Sequence, residues 1–213
     1  MDSMYSPAHL LLAPMAYLLG SIPFGLIFSR LFSGKDVRKT GSGNIGATNV
    51  GRTAGILPGI LTLVADAAKG AFPVWISLAA GSGKEAGNEL LIGIVALAAF
   101  IGHLYPCFLK FKGGKGVATA GGCFLFISPM ALLAAVVTFA LAVFLTRRVS
   151  VGSLAGALVL APAVAVIEHS GISAVFAGLI AMFIFIRHRE NIQRIIDGKE
   201  PVFSVDDQKI NHK

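Results

Sequence analysis

The chain has 213 residues, of which 55% are hydrophobic and only 14% charged, with a mean hydropathy of +0.77. Soluble domains carry about a quarter charged residues, so this composition excludes an ordinary soluble enzyme and predicts a bilayer protein. The net charge of +7 does not predict a nucleic-acid binder, because the basic residues lie in short connections between apolar runs instead of on one soluble face.

Apolar runs occupy about 8–29, 54–80, 90–109, 117–128, 130–146, 149–167 and 172–187. A span needs about 20 mainly apolar residues, so no separate soluble domain fits beside them. The first basic residue, Arg30, follows the first run, so that run reads as a retained span and not as a signal peptide. The fourth and fifth runs are short, and Ser128-Pro129 is the turn signal between them. They read either as two crossings or as one kinked or partly re-entrant segment. Pro14, Pro23, Pro58, Pro73 and Pro162 read as kinks within spans.

Charge placement favours two crossings. Connections containing Arg30 to Arg52, Lys110 to Lys115, and Arg147-Arg148 are basic, as is the tail from Arg187; those at 81–89, 128–129 and 168–173 together hold one lysine and no arginine. Lys and Arg mark cytoplasmic loops. The expected fold is therefore an all-α integral membrane protein: one domain over 1–213, seven transmembrane helices, the N-terminus outside and the C-terminus cytoplasmic. Polar loops at about 33–53, 110–117 and 187–200 then share the cytoplasmic face.

The first of these loops contains Thr40-Gly41-Ser42-Gly43-Asn44-Ile45-Gly46-Ala47-Thr48-Asn49-Val50-Gly51-Arg52. Its glycines permit left-handed backbone and close approach to a ligand, and consecutive N–H groups can form an anion-binding nest. Ser42, Asn44, Thr48 and Asn49 add hydrogen-bonding side chains, and Arg52 adds a bidentate fork for phosphate. The G-x-G-x-x-G match at Gly41–Gly46 follows a membrane run, so the dinucleotide reading, which needs a βαβ unit, fails. In the second loop Gly113, Gly114 and Gly116 flank Lys115, joining a point charge to bare backbone. Lys110 and Lys112 read as topology determinants. The third island, Arg187-His188-Arg189-Glu190-Asn191 onward, continues as an amphipathic interfacial helix through Ile192, Ile195 and Ile196, with His188 and Asn191 on one face.

Asp66 and Lys69 lie three apart inside the second run. Each unpaired charge there would cost about 2.5–3.5 kcal/mol on insertion scales, so a structural pair is expected. Gly81-Ser82-Gly83-Lys84 resembles half a P-loop but continues with Glu85 and falls outside by the charge rule. Gly55/Gly59 and Gly152/Gly156 read as close-packing pairs within the bundle. Cys107 and Cys123 have no metal or redox spacing and read as small apolar residues. An organic-anion transporter is the rival function, but no repeat relates the halves and the glycine loops gather at one face, not the midplane.

The segments 42–49, 102–106 with 112–119, and 188–192 resemble the three signature motifs of the bacterial acyl-phosphate-dependent glycerol-3-phosphate acyltransferases, integral inner-membrane enzymes of about this length. The resemblance implies acyl transfer from acyl phosphate to sn-glycerol 3-phosphate, yielding lysophosphatidate and phosphate. It implies that Ser42, Gly43, Asn44 and Thr48 hold the acyl phosphate, with Gly41, Gly46, Asn49, Gly113 and Gly114 as further parts of the phosphate site. Arg52 would bind phosphate, Lys115 would neutralise developing charge, and His188 and Asn191 would orient glycerol phosphate, with Arg187 and Arg189 as lesser candidates. No histidine has the His-x4-Asp partner used by other glycerolipid acyltransferases. The proton acceptor is left between a substrate phosphate oxygen and His188. No metal or cofactor is expected, and a monomer is.

Overall fold

In the computed structural model, residues 7–80 and 86–202 are described; the Gly81–Lys84 decoy lies outside them. Among the described residues ten α-helices follow in order: α1 (Pro7–Gly20), α2 (Phe24–Ser33), α3 (Ala47–Ala54), α4 (Ile56–Ala80), α5 (Ala86–Leu104), α6 (Val117–Ile127), α7 (Pro129–Thr146), α8 (Val149–Glu168), α9 (Gly171–Arg187) and α10 (Arg189–Ile196). The described residues contain no strand. In lipid each segment must satisfy its own backbone, which helices do.

Five segments are long and apolar enough to cross a bilayer, and α9 with α10 makes a sixth if that pair, bent by 58°, counts as one. The α1–α2 segment passes as one span from Leu11 to Ser33 although its helices are broken at Ser21–Pro23. Helix α6 has 11 residues, roughly 16 Å at 1.5 Å per residue, about half the hydrocarbon thickness. The established architecture is thus a helical membrane bundle with five or six full-length segments among the described residues. Pro14, Pro73 and Pro162 sit inside helices as expected, but Pro23 caps α2 at the break and Pro58 lies in the first turn of α4. Those two prolines start helices instead of bending them.

The core joins Phe100 and Leu104 of α5 to Phe124 of α6, Leu160 and Val164 of α8, and Ile180 and Ile184 of α9. Its outer surface carries exposed Leu63, Val64 and Phe72 on α4 and Leu133, Val137 and Leu141 on α7, the lipid-facing side of the bundle. Helices α4 and α6 touch at backbone distance: a Cβ on Gly122 would lie 1.9 Å from the Ala67 carbonyl oxygen. Gly152 and Gly156 meet Phe139 and Ala135 of α7, so that glycine pair packs within the bundle. Gly59 meets Gly51 of α3, not a partner across from Gly55. Cys123 is buried between α4 and α5, and both cysteines are free thiols.

Asp66 and Lys69 form the expected pair, Oδ1 to Nζ at 2.8 Å, with both side chains buried. Lys69 also donates to the Ile22 carbonyl (2.9 Å), an acceptor exposed by the break between α1 and α2. The intramembrane cation therefore satisfies the broken backbone as well as its carboxylate. His103 Nδ1 lies 3.6 Å from the same Asp66 oxygen.

Candidate active site

All three polar islands converge on one cavity of about 820 Å³. Its polar mouth is lined by Ser42, Thr48, Arg52, Lys115, His188 and Asn191, together with Glu200 and Arg194. Leu63, Val117, Leu125, Leu132, Val136 and Phe139 continue it as an apolar groove between α4, α6 and α7, open toward the lipid-facing surface at Leu63, Leu125 and Val136. Charge recognition and an apolar slot thus share one continuous space.

The opening segment is half loop and half helix. Gly41 and Gly43 have φ of +58° and +68°, conformations that other residues adopt at a cost. Asn49 holds the turn together from α3: its amide nitrogen donates to the carbonyls of Val37 (3.1 Å), Thr40 (3.1 Å) and Asn44 (2.8 Å), and its oxygen accepts from Ser42 N–H (2.9 Å). Gly43 N–H is bonded to Thr40 and Gly46 N–H to the Asn44 side chain. These three N–H groups are committed within the loop, so they do not form the open anion nest anticipated for it. The donors at the cavity are instead in the first turn of α3, where Ala47 and Thr48 line the wall. First-turn N–H groups lack intrahelical partners and sit at the positive end of the helix dipole. Asn49 is the scaffold of this arrangement, with its side chain fully engaged by backbone.

Arg52 lies one turn along α3, half-buried at the cavity, and makes no hydrogen bond or ion pair among the described residues. Its neighbours in the linker differ. Asp36 accepts from Arg38 (2.6 Å) and Arg30 (3.2 Å), and these donors hold its carboxyl well below the usual range. Arg52 is the open guanidinium of this segment.

In the second island Gly113 and Gly114 do not line the cavity. Their N–H groups donate to the Leu104 and His103 carbonyls at the end of α5 (both 3.1 Å). Their carbonyls accept from Arg187, Nη2 to Gly113 at 2.8 Å and Nε to Gly114 at 3.0 Å. Arg187 also lies 5.7 Å from the Tyr105 ring. These two glycines and Arg187 therefore form the mount for Lys115 and not phosphate ligands. Lys110 and Lys112 are exposed away from the cavity.

Lys115 Nζ donates to the Asn191 side-chain oxygen. Burial, outweighing the opposing field of Glu200, pushes its ammonium down to about 8. His188 occupies the bend between α9 and α10, buried, with Nδ1 2.8 Å from the Ile184 carbonyl. A carbonyl only accepts, so Nδ1 carries the proton and the other ring nitrogen keeps its lone pair. Burial, with the Lys115 charge adding to it, pulls His188 down to about 4, leaving it neutral at physiological pH. Arg189 is exposed and does not reach the cavity.

Three cavity residues were not singled out by sequence reasoning. Glu200 is buried and accepts from Asn191 (2.7 Å) and Arg194 (2.8 Å). Arg194, in the basic tail that begins at Arg187, lines the same cavity. Ser150, in the first turn of α8, lines the cavity with a buried hydroxyl beside the Glu200 carboxylate. The available signal was Ser150 following Arg147-Arg148, and an acid placed between Gly198 and Pro201. Among the described residues no three His, Cys, Asp or Glu gather as a metal site.

Residues 10–198 match the family profile described as glycerol-3-phosphate acyltransferase. The chain belongs to that family. It is 48% identical over 188 residues to the glycerol-3-phosphate acyltransferase of Syntrophotalea carbinolica, covering 88% of this chain and 94% of that one. The Anaeromyxobacter sp. enzyme of the same name is 50% identical over 195 residues, covering 90% and 94%. Two crystal structures of the integral membrane glycerol 3-phosphate acyltransferase PlsY superpose on this chain. The glycerol 3-phosphate form gives a TM-score of 0.88 at 35% identity over 97% of this chain and all of that one, and the lysophosphatidic acid form gives 0.85 at 35% over 96% and 100%. The enzyme is therefore an integral membrane acyltransferase, as its three motifs predicted.

Proposed function

We propose that the enzyme transfers a fatty acyl group from acyl phosphate to sn-glycerol 3-phosphate, giving 1-acyl-glycerol 3-phosphate and inorganic phosphate, the first acylation of phospholipid synthesis. The observation that carries this reading is the continuity of the cavity. One end offers the unengaged Arg52, Lys115 and the first turn of α3; the other is an apolar groove open along α4, α6 and α7. An acyl phosphate has the same two-part character, with an alkyl tail for the groove and a dianionic head for the mouth.

The first turn of α3, with Ser42 and Thr48, holds the acyl-phosphate head, because helix-start N–H groups and hydroxyls suit phosphate oxygens. Arg52 binds the phosphate of the acceptor as a bidentate fork. Lys115 stabilises negative charge on the carbonyl oxygen or departing phosphate, and His188 and Asn191 orient the glycerol. The sn-1 hydroxyl oxygen attacks the acyl carbon, the bond from that carbon to the phosphate oxygen breaks, and the hydroxyl proton passes to a substrate phosphate oxygen. His188 is a poor rival base: burial and the Lys115 charge depress its affinity for protons, although its Nδ1 bond to Ile184 leaves the other ring nitrogen open. Acyl phosphate is already activated, so positioning and fixed charge supply the catalysis.

The site works from the cytoplasmic face of the bacterial inner membrane, with the N-terminus outside and α6 completing a seven-segment path; the alternation of basic connections supports this orientation. Residues of one chain suffice to line the cavity, which supports a monomer as the working unit.

The test gives purified enzyme in detergent glycerol 3-phosphate with either palmitoyl phosphate or palmitoyl-CoA, and quantifies lysophosphatidate and free phosphate. Product and phosphate in equal amounts from palmitoyl phosphate alone is the expected result. Equal or better use of the thioester overturns the donor assignment.

A further inference from the structure

Beyond α10 the chain turns back on itself. Gly198 has a φ of +68°, and the Lys199 N–H donates to the Arg194 carbonyl (2.7 Å), so the backbone reverses within a few residues. The reversal delivers Glu200 into the cavity wall, where its side chain is 6% exposed. It is fastened from three directions. Asn191 Nδ2 donates to Oε1 (2.7 Å), Arg194 Nε donates to Oε2 (2.8 Å), and Arg148 Nε, at the start of α8, donates to the Glu200 carbonyl (3.2 Å).

This placement dictates the polarity of Asn191. A carboxylate only accepts and an ammonium only donates, so the amide must turn its NH2 to Glu200 and its oxygen to Lys115. The chain Lys115–Asn191–Glu200 then has one consistent direction. We propose that Glu200 is a positioning residue for acyl transfer: a counter-ion set one side chain away from Lys115, which fixes the Asn191 amide and keeps the lysine charged at the reacting group. The proposal rests on the reading of Lys115 as the cation of the reaction.

The amide spacer has a physical purpose. A carboxylate in direct contact would hold the ammonium as Asp66 holds Lys69, at 2.8 Å. It would also stand where an incoming phosphate must bind. Set back behind Asn191, Glu200 sustains the charge while a neutral amide oxygen, easily exchanged for a phosphate oxygen, occupies the contact. The charged and titratable groups around Lys115 are Arg194 and Glu190 of α10, Arg187 at the end of α9, His188 at the bend, and Glu200 in the tail. The arginines oppose the ammonium and the two acids favour it, with Glu200 the foremost of the charges. The carboxylate itself is stable there: burial opposes its charge, but the Ser150, Asn191 and Arg194 side chains outweigh burial and hold it below the usual range.

The test is the pH profile of kcat/KM for full-length wild type, Glu200→Gln and Arg194→Gln in detergent. A lysine is charged below its pKa, so lowering that pKa removes activity at a lower pH. Wild type is expected to lose activity as pH rises through about 8. In Glu200→Gln the falling limb moves down by roughly one pH unit, the lower end of what a nearby opposite charge contributes; in Arg194→Gln it moves up. A merely structural role for Glu200 would lower activity without moving the limb. A wild-type limb that stays in place in Glu200→Gln overturns the proposal and leaves Lys115 as assigned. A wild type with no alkaline limb overturns the Lys115 reading and this proposal together. Should Glu200→Gln fail to fold, Arg194→Gln decides alone: an unmoved or lowered limb overturns the proposal.

Discussion

Two lysines, each associated with a carboxylate, sit in very different circumstances. Lys69 touches Asp66 directly, donates to the Ile22 carbonyl and lies 5.8 Å from the Phe24 ring, with a side chain 1% exposed. Lys115 has one neutral partner, Asn191, and its carboxylate stands one residue further back. The first arrangement is closed and leaves the cation nothing to offer. The second leaves the cation a replaceable contact on a cavity wall. Within one membrane protein the same residue type is thus either closed off between helices or left with a replaceable contact on a cavity wall, and its partners decide which.

The largest expected effect breaks the closed pair. Lys69→Ala should destabilise the protein by about 3–5 kcal/mol, because it strands a buried carboxylate, read as a fall in the thermal unfolding midpoint in detergent. Adding Asp66→Asn with Lys69→Met should restore much of that loss, and failure to do so would mean that the pair matters beyond its charge balance. A smaller effect sharpens the open site. His188→Asn should raise KM for glycerol 3-phosphate about tenfold with kcat changed only a few-fold, the pattern of lost ground-state binding. A kcat loss of several orders would instead make His188 the base. Next comes the pH profile: kcat/KM should stay level through neutral pH and fall near 8 as Lys115 deprotonates, whereas a limb governed by His188 would lie near 4. The smallest expected effect is none. Treatment with EDTA should leave the rate unchanged, since Arg52, Lys115 and α3 can neutralise the phosphates without Mg²⁺, and a strong loss would contradict that.

The bundle and the three islands were legible because their signals are local. Apolar runs report spans, and glycines beside Arg52 and Lys115 report backbone near charge. What escaped was tertiary. Residues 47–53 read as loop since glycine, threonine and asparagine are weak helix formers, yet packing of Gly51 on Gly59 seats them as a helix over α4. Asn49 looked like a phosphate ligand and proves to be the internal brace of its own turn, a role that depends on three carbonyls from other positions. Gly113 and Gly114 looked like substrate backbone, but Arg187, more than seventy residues away, takes their carbonyls. Glu200 reaches the site through a reversal at Gly198 that composition does not announce. The break at Ser21–Pro23 is likewise tertiary in origin, with its Ile22 carbonyl accepting from Lys69 of α4.

The most direct test is the turnover of Lys115→Ala with palmitoyl phosphate and glycerol 3-phosphate, measured on protein whose thermal midpoint matches wild type. An electrostatic group aimed at developing charge is worth about 10²–10³ in kcat, so a fall of that size in phosphate release is the predicted result. A folded Lys115→Ala enzyme within a few-fold of wild type would contradict the assignment of the open lysine to catalysis.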